Sequence, residues 1–415
     1  MLKFYSMKNT SCNQSVTVGF PIRNEGKFLR NALESVICNY DWIDEILISD
    51  NNSTDNTMAI CQEYVSRYPK IKYFRQETTL KSLDNFKFLL FHANSKYFFF
   101  MRGKNLITKD FVKNCTSILD SDDSALVAFP YYYKFASFSN GQPKNPKIFV
   151  DPCNYYYDSD DVYLRFKETL KYDFSCMVIY AFFRLESLKS EFLKLESEEA
   201  ASDLVLSFRL ALLGKFKTVK NAVVYHFERN GENYIERMSR YKSMGFAVEL
   251  YNLDWHLIYE ANLLCRLKAP EVYNKIKKDI NFFLGLSKRA YLSQDALKLR
   301  TTKGQFLQLI KEKSKDKKVV FFGTSLCAEK VHKLVNDRLI PEFYVDNNVD
   351  KQNSFFHGKK IYAPAVLHNP NKYVCVVNVD DGRFIWEIYD QMIDMGYKYM
   401  ENLFFLPREV YDEFI

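Results

Sequence analysis

Apolar residues in the first part of the chain form short runs that are separated by segments with helical periodicity. Residues 15–20 and 45–49 are compact apolar runs typical of buried strands, and Pro21, which cannot donate to a β-ladder, follows the first. Between them, apolar positions recur at helical spacing from 28 to 37, after Asn24, a residue type suited to a helix N-cap. The pattern predicts a strand, a helix and a second strand, in that order.

The alternation of strands and helices continues toward residue 230. The pattern predicts helix 57–68, strand 71–74, helix 83–93, strand 96–101, strand 125–133 and helix 202–213, the last ending at Gly214. Strands that alternate with helices are typical of a parallel, doubly wound α/β sheet, in which ligands bind at the carboxyl ends of the strands.

A second strand and helix pattern begins near residue 318. It predicts a strand over 319–322, a turn over 323–328, a helix that ends near 334 and a strand over 342–345. The intervening segment is predominantly helical in pattern. We therefore predict three parts, which are an α/β catalytic domain over 1–233, a helical connecting region over 234–316 and a smaller Rossmann-like domain over 317–415.

Composition narrows the class of protein. The 415 residues carry a formal charge of +7 without a lysine or arginine block, so we expect no nucleic-acid partner. The nine cysteines are single, without the C-x-x-C pairs of a zinc or redox site. No apolar run approaches the roughly 20 residues that cross a bilayer. We expect a cytoplasmic protein, either free or peripheral at the cytoplasmic membrane face.

Two motifs carry a family resemblance. Val16-Thr-Val-Gly-Phe-Pro-Ile-Arg-Asn-Glu25, followed by Ile46-Leu-Ile-Ser-Asp-Asn-Asn-Ser-Thr-Asp-Asn-Thr57, resembles the opening of glycosyltransferase family 2, which has the GT-A fold. The resemblance implies a nucleotide-sugar donor, a UDP-sugar first of all. A strand-end carboxylate can accept hydrogen bonds from its base and ribose. The resemblance assigns contacts with the nucleotide-sugar to Pro21, Asn24, Glu25, Asp50 and Asn51. An ordinary capped turn is the alternative for 50–55.

The chain departs from the family at the acidic cluster that would hold a divalent metal. Arg102, Gly103, Lys104 and Asn105 occupy this place, and only Asn105 has a side-chain oxygen. The usual metal site is therefore doubtful. Lys104 and Arg102 have the charge to stabilise a leaving diphosphate in place of a metal. Asn105 is a further candidate contact to the donor. Metal held by other residues and a site that has lost catalysis are the alternatives.

Two later positions resemble the rest of the family site. Asp203 stands in the first turn of a predicted helix, where the family places the catalytic base of an inverting transfer. Helix capping is the alternative role, and Glu198 and Glu199 are alternative bases. His226 follows an apolar strand and is a candidate contact for the diphosphate or a metal, or a structural histidine.

The C-terminal turn Gly323-x-Ser325-x-x-Ala328 is a reduced form of the dinucleotide fingerprint. Asp346 follows about 20 residues later, where an acid can meet a ribose. Because two glycines of the fingerprint are missing, we favour a packing or regulatory module over an NAD site.

The sequence thus predicts an enzyme that transfers a sugar from a nucleotide-sugar to a hydroxyl group. The acceptor would be a glycan or lipid-linked glycan, in the synthesis of a bacterial surface glycan of capsule or lipopolysaccharide type. The alternatives are a non-catalytic nucleotide- or glycan-binding protein, and an enzyme of sugar-nucleotide metabolism that uses the C-terminal domain. Fold alone does not separate them, because function depends on the site.

Overall fold

The computed structural model describes residues 15–139, 141–169, 177–195, 202–228, 265, 269–278, 303–335, 339–379, 382–398 and 401–405. The chain divides into two compact units, Met1–Val248 and Glu249–Ile415. Much of the predicted helical region 234–316 lies outside the described residues, so the predicted domain bounds remain a prediction.

The first unit is built on a nine-stranded sheet. The strands of this unit are β1 Val16–Ile22, β2 Glu45–Asp50, β3 Ile71–Arg75, β4 Tyr97–Phe100, β5 Leu106–Ile107, β6 Ala125–Phe135, β7 Phe138–Ser139, β8 Gln142–Pro143, β9 Lys147–Val150, β10 Phe182–Arg184 and β11 Lys215–Phe227. The strands β7 and β8 form a separate two-stranded ribbon, and the other nine form the sheet. The order across the sheet is β3-β2-β1-β4-β10-β6-β11-β5, with β9 paired to β6. The strands β1 to β4 are parallel, which confirms the predicted α/β fold class.

The described helices of this unit connect the strands. They are α1 Gly26–Ile37, α2 Thr57–Arg67, α3 Ser82–His92, α4 Phe111–Ser121, α5 Val162–Glu168, α6 Leu185–Phe192 and α7 Ser202–Leu213. Short 3-10 turns occur at Tyr40–Trp42, Pro152–Asn154 and Val178–Tyr180. The bounds of α7 are those that apolar periodicity predicted.

The strand β1 runs through Pro21 rather than ending before it. Pro21 is in register with Ser49, and the carbonyl of Ile22 accepts a hydrogen bond from Asn51 N on the β2 side. The backbone groups of successive residues in a parallel strand point toward opposite neighbouring strands. The backbone of Pro21 therefore points toward β4, and the pairing of β1 with β4 ends at Gly19. No ladder bond is lost at Pro21, so the strand continues.

The centre of this sheet is buried on both faces. All four residues of β4 are buried, and so are six of the seven residues of β1. Gly19 allows this packing, because a Cβ there would lie 2.5 Å from Cζ of Phe98. The close approach explains why a glycine stands in an otherwise bulky apolar strand.

The second unit has its own six-stranded sheet. Its strands are β12 Lys318–Phe322, β13 Phe343–Val345, β14 Phe355–Phe356, β15 Lys359–Tyr362, β16 Tyr373–Val377 and β17 Leu403–Phe405, in the order β14-β15-β13-β12-β16-β17. Its described helices are α8 Pro270–Lys278, α9 Lys303–Lys313, α10 Leu326–Val335 and α11 Gly382–Asp394, with a 3-10 turn at Pro364–Leu367. The strand order reverses direction at β12, which pairs with β13 on one side and β16 on the other.

Two apolar clusters cover opposite faces of the second sheet. One contains side chains of α9 and α10, and the other contains side chains of α11. Within the described residues, no helix is both long enough and apolar enough to span a membrane.

Candidate active site

The carboxyl ends of β1, β2, β3 and β4 lie at one edge of the first sheet because these strands are parallel. The loops that follow them, over 23–25, 51–56, 76–81 and 101–105, therefore converge at this edge. Ligands of open α/β sheets bind at such edges. All residues that the family resemblance assigned between positions 21 and 105 lie on or beside these loops.

Hydrogen bonds connect the first two loops directly. Asn24 N donates to Oγ of Ser53 at 2.9 Å, and Oδ1 of Asn24 accepts from Thr54 N at 2.8 Å. Glu25 N donates to Oγ1 of Thr57 at 3.2 Å. Asn24 adopts the left-handed conformation with φ of 53° and does not cap α1, so the predicted N-cap was wrong. Its amide is used instead to hold the second loop.

Asp55, which the sequence analysis did not select, joins the first turns of two helices. Its Oδ2 accepts from Gly26 N at 3.0 Å and its Oδ1 from Thr57 N at 3.0 Å. Desolvation acts to raise its pKa, but the hydrogen bonds from Thr57 and Gly26 lower the pKa below the ordinary value. A carboxylate at two helix N-termini is favoured by both helix dipoles.

Asp50 lies at the end of β2 with a side chain that is 0% exposed. Its Oδ1 accepts from Ser53 N at 2.9 Å, and its Oδ2 accepts from the Tyr73 hydroxyl at 2.7 Å. Nη1 of Arg75 lies 3.4 Å from Oδ2, while the Arg75 side chain is 36% exposed. Asp50 thus orders its own loop and holds Arg75, which reaches solvent.

Arg75 is the functional candidate that sequence reasoning missed. Its Nη2 also donates to the carbonyl of Ser53 at 2.9 Å and to Oδ1 of Asn52 at 3.3 Å. A lone arginine at the end of a strand carries no signal in the sequence. Only the pairing of β2 with β3, which sets Asp50 beside Arg75, identifies it.

Asn51 connects the second loop to the third. Its Oδ1 accepts from Leu80 N at 2.7 Å and its Nδ2 donates to the Leu80 carbonyl at 3.0 Å. An open pocket of about 480 Å³ lies beside this contact at the end of β3. Its walls are Phe74, Arg75, Gln76, Glu77, Thr78, Leu80 and Phe88.

The fourth loop meets the first at Gly103. Gly103 N donates to Oε2 of Glu25 at 2.5 Å, and a Cβ on Gly103 would lie 2.6 Å from the same oxygen. A side chain at position 103 would therefore displace the Glu25 carboxylate from this contact. The absence of a side chain at Gly103 lets the Glu25 carboxylate lie against the turn.

The turn over 102–105 closes with a hydrogen bond from Asn105 N to the Arg102 carbonyl at 3.0 Å. Arg102 and Lys104 are half-buried. Asn105 is 0% exposed, and its Oδ1 accepts from Phe227 N at 3.4 Å. Its Nδ2 has no hydrogen-bond partner among the residues that the structure describes.

The turn over 102–105 offers few oxygen ligands to a divalent ion. One carboxylate, that of Glu25, and one amide oxygen, that of Asn105, lie at the turn, and both already accept backbone N–H groups. A divalent ion at a diphosphate usually takes one or two carboxylates from the protein and its other oxygen ligands from phosphates and water. Across the described ranges, no cluster of three or more His, Cys, Asp or Glu side chains could hold a metal.

His226 lies on β11 directly before Phe227 and so comes next to the Asn105 contact. It is half-buried, and its ring centroid lies 6.1 Å from that of Tyr180. The structure thus brings the predicted positions 105 and 226 together at the end of β11.

Asp203 lies in the first turn of α7, which leads through Gly214 into β11. Because β11 runs parallel to β6, and β6 parallel to β4 through β10, the start of α7 lies toward the same carboxyl edge. Desolvation raises the pKa of Asp203 to about 6, although a hydrogen bond from Leu204 N acts to lower it. The alternative bases Glu198 and Glu199 lie outside the described residues.

With this geometry in place, the sequence identifies the class of the first unit. Residues 17–188 match the sequence model of Glycosyl transferase family 2. The protein is therefore a glycosyltransferase, and its match to family 2 lies in the N-terminal segment. The match covers the loops after β1 to β4 and ends within α6, before Asp203 and His226.

Similarity to other proteins is otherwise distant. No curated protein sequence matches the chain. Structures of S. aureus TarS 1-349 in complex with UDP and with UDP-GlcNAc show TM-scores of 0.49 and 0.47, at 15% and 16% identity. Each alignment covers 71% of this chain and 78% of that chain. GalNAc-T7 with UDP, GalNAc and Mn2+ shows a TM-score of 0.41 and 16% identity over 53% of this chain and 45% of that chain.

Proposed function

We propose that the protein transfers a sugar from a nucleotide-sugar, first of all a UDP-sugar, to a hydroxyl group of a glycan or lipid-linked glycan, with inversion at the anomeric carbon. The observation that carries the proposal is the convergence of the family 2 loops at one sheet edge, joined by the contacts of Asn24 with 53–54 and of Glu25 with Gly103. The biological role that we propose is the synthesis of a bacterial surface glycan, on the cytoplasmic side of the membrane and without a nucleic-acid partner.

On the donor side, the enclosed carboxylate of Asp50 acts as a positioning group. It holds Arg75 beside the open pocket at the end of β3, where the guanidinium can contact the nucleotide. Pro21, Asn24, Glu25 and Asn51 shape the two adjoining loops.

Lys104 and Arg102 supply the charge that the leaving diphosphate requires. Departure of the nucleoside diphosphate leaves negative charge on its terminal phosphate, and fixed cations stabilise such charge in the transition state. The turn that carries them is held by the Glu25 contact to Gly103. His226 and Asn105, at the end of β11, would lie beside the same diphosphate.

Asp203 acts as the general base. In a single displacement the acceptor oxygen attacks the anomeric carbon, the bond from that carbon to the diphosphate breaks, and the acceptor proton passes to a carboxylate. A carboxylate whose pKa is about 6 is ionised at pH 7 and is a stronger base than an ordinary aspartate.

The purified chain should first be mixed with UDP-, GDP-, dTDP- and CMP-sugars. Thermal stabilisation by one donor, with slow release of its nucleoside diphosphate, is the expected result. Stabilisation without turnover in the presence of acceptor glycans would favour a non-catalytic binding protein. The absence of binding to all four donors would contradict the proposal.

A further inference from the structure

The carboxyl ends of β12 and β16 form a second sheet edge, which carries none of the residues assigned above to the transfer reaction. These strands flank the point where the strand order of the second sheet reverses. In open α/β sheets, this is where the crevice for ligands lies. Two residues, Gly323 after β12 and Asn378 after β16, meet there.

Asn378 has a side chain that is 0% exposed. Its backbone N donates to the Phe322 carbonyl at 2.8 Å, but neither Oδ1 nor Nδ2 has a hydrogen-bond partner within the described ranges. Buried amide groups are almost always hydrogen-bonded, so an amide with both functions unpaired points to a missing partner. The partner must supply one acceptor and one donor.

The side chain of Asn378 lies on the face of the sheet that carries α10. In β16, Val374 and Val376 pack in the cluster with Val331 of α10, whereas Cys375 and Val377 pack in the cluster with α11. Successive side chains of a strand alternate between faces. Position 378 continues the first set and is therefore directed toward the beginning of α10.

The beginning of α10 has the character of an anion site. Its first-turn N–H groups have no helical partner and carry the positive end of the helix dipole. Nζ of Lys351 lies 3.2 Å from the Thr324 carbonyl and 3.6 Å from Oδ2 of Asp346, which places a cation beside the turn. Gly323, with φ of 102°, has no Cβ to close the gap to Asn378.

The same geometry limits the size of the ligand. Asp346 would contact a ribose in a dinucleotide site, but its Oδ2 accepts from Thr324 N and its Oδ1 from Asn348 N. A Cβ at Gly323 would lie 2.7 Å from Cγ2 of Val379, so the crevice is narrow. These contacts leave no room for a dinucleotide, and a single phosphate group is the smaller ligand that a helix N-terminus can bind.

We propose that the second unit binds a small phosphate compound carrying a hydroxyl group, with the phosphate at the beginning of α10 and the amide of Asn378 as its selective contact. Nδ2 donates to a phosphate oxygen, and Oδ1 accepts from the hydroxyl. Because both amide atoms are enclosed, binding includes a local opening of the Gly323 turn or of Val379. The site is independent of the transfer reaction.

The test titrates the full chain by calorimetry with hydrogen phosphate, glucose 1-phosphate and ribose 5-phosphate, and with sulfate, which lacks a hydroxyl. We expect saturable binding of at least one phosphate compound and at least 10-fold weaker binding of sulfate. Binding of hydrogen phosphate alone would identify free phosphate as the ligand, and stronger binding of an ester would identify a sugar phosphate.

Two variants locate the binding. Asn378→Leu and Asn378→Asp should each weaken it at least 10-fold, and Asn378→Leu should keep or raise the Tm, because an unpaired amide is removed. Asn402 is the matched control, since its Nδ2 and Oδ1 are bonded to the Pro370 carbonyl and Lys398 N. Asn402→Ser should lower the Tm and leave the affinity unchanged.

Three results would overturn the proposal. They are no saturable binding of any phosphate compound at millimolar concentration, an affinity that is unchanged by Asn378→Asp, and an affinity that is lost in Lys104→Ala. The last would place the anion at the donor edge of the first unit and would leave the proposed transfer reaction standing.

Discussion

Both sheets place an aspartate at the carboxyl end of the second strand of a strand–helix–strand unit, and the two aspartates are used in a similar way. Asp50 accepts from Ser53 N of its own loop, and Asp346 accepts from Thr324 N of the preceding turn. Both carboxylates are satisfied inside the protein. What differs is the group that each one presents, which is Arg75 in the first unit and Lys351 in the second.

The two edges also differ in how completely their polar groups are paired. Side chains of Asn24, Ser53 and Asp55 connect the loops of the first edge, where the amide of Asn105 is paired through Oδ1 but not through Nδ2. Asn378 at the second edge lacks partners for both amide atoms in the described part of the chain. A preorganised edge suits chemistry on a bound donor, because no reorganisation is needed when charge develops. An edge with an unpaired amide suits a ligand that supplies the missing hydrogen-bond partners.

The largest expected effect is a loss of kcat, which should occur for a variant at the first edge and not for a variant at the second. Asp203→Asn should lower kcat by about 10² to 10⁴, the usual contribution of a general base, whereas Lys351→Ala at the second edge should leave kcat within about twofold. For the native enzyme, kcat/KM should fall as the pH drops below about 6, because the carboxylate becomes protonated. Glu186→Gln, at an exposed first-turn acid of α6, is the control. Full activity of Asp203→Asn would remove Asp203 from the mechanism.

Lys104→Ala should lower kcat by about 10² to 10³ with a smaller change in donor affinity, because the cation acts mainly on charge that develops as the diphosphate leaves. Lys104→Arg should retain part of the activity. Lys109→Ala, at an exposed lysine between β5 and α4, should have no effect. An equal loss of kcat in Lys109→Ala would mean that general charge, rather than the turn over 102–105, governs the rate.

Asp50→Ala should weaken nucleotide affinity by about 1 to 3 kcal/mol, the range for a buried charged hydrogen bond. The loss comes from release of Arg75 and of the loop that begins at Asn51. Tyr73→Phe removes one contact to the same carboxylate and should cost less than Asp50→Ala. Calorimetry that finds unchanged affinity, in a folded Asp50→Ala variant, would exclude Asp50 from the site.

The smallest effect concerns stability in acid. The pKa of Asp55 is lower in the folded state than in the unfolded chain, so its contribution is complete above about pH 4 and is lost as the pH falls through the folded pKa. Asp55→Ala should cost about 1 kcal/mol at pH 7, as for other helix caps, and less below pH 4. Asp110→Asn, at an acid without a capping bond to α4, is the control and should leave the stability at pH 7 nearly unchanged. A constant difference across pH would contradict the assigned contacts.

Periodicity was sufficient to predict most elements of both sheets. The predicted α7 and the strands β2, β3 and β12 agree within one or two residues, because their apolar faces are continuous and no distant contact alters their ends. The predicted end of β1 at Pro21 was wrong, since the consequence of a missing N–H depends on which neighbour the residue faces.

The site was harder to predict than the fold because its decisive contacts join distant residues. Glu25 and Gly103 are separated by 78 positions, and Asn105 and Phe227 by 122. Asn24 looks like an N-cap in sequence, but its partner is on another loop. Neither Arg75 nor Asn378 stands in a recognisable motif. Arg75 is identified by its pairing with Asp50 on the neighbouring strand, and Asn378 by its position beside Gly323.

The central claim is that fixed cations of the turn over 102–105, rather than a bound metal, stabilise the leaving diphosphate. The direct test is the rate of sugar transfer, or of donor hydrolysis, in excess EDTA for the native enzyme and for Lys104→Ala. We predict that the native rate survives EDTA and that Lys104→Ala stays about 10² to 10³ slower with or without Mn²⁺ or Mg²⁺. Loss of the native rate in EDTA, with recovery on addition of Mn²⁺ or Mg²⁺, would contradict the claim.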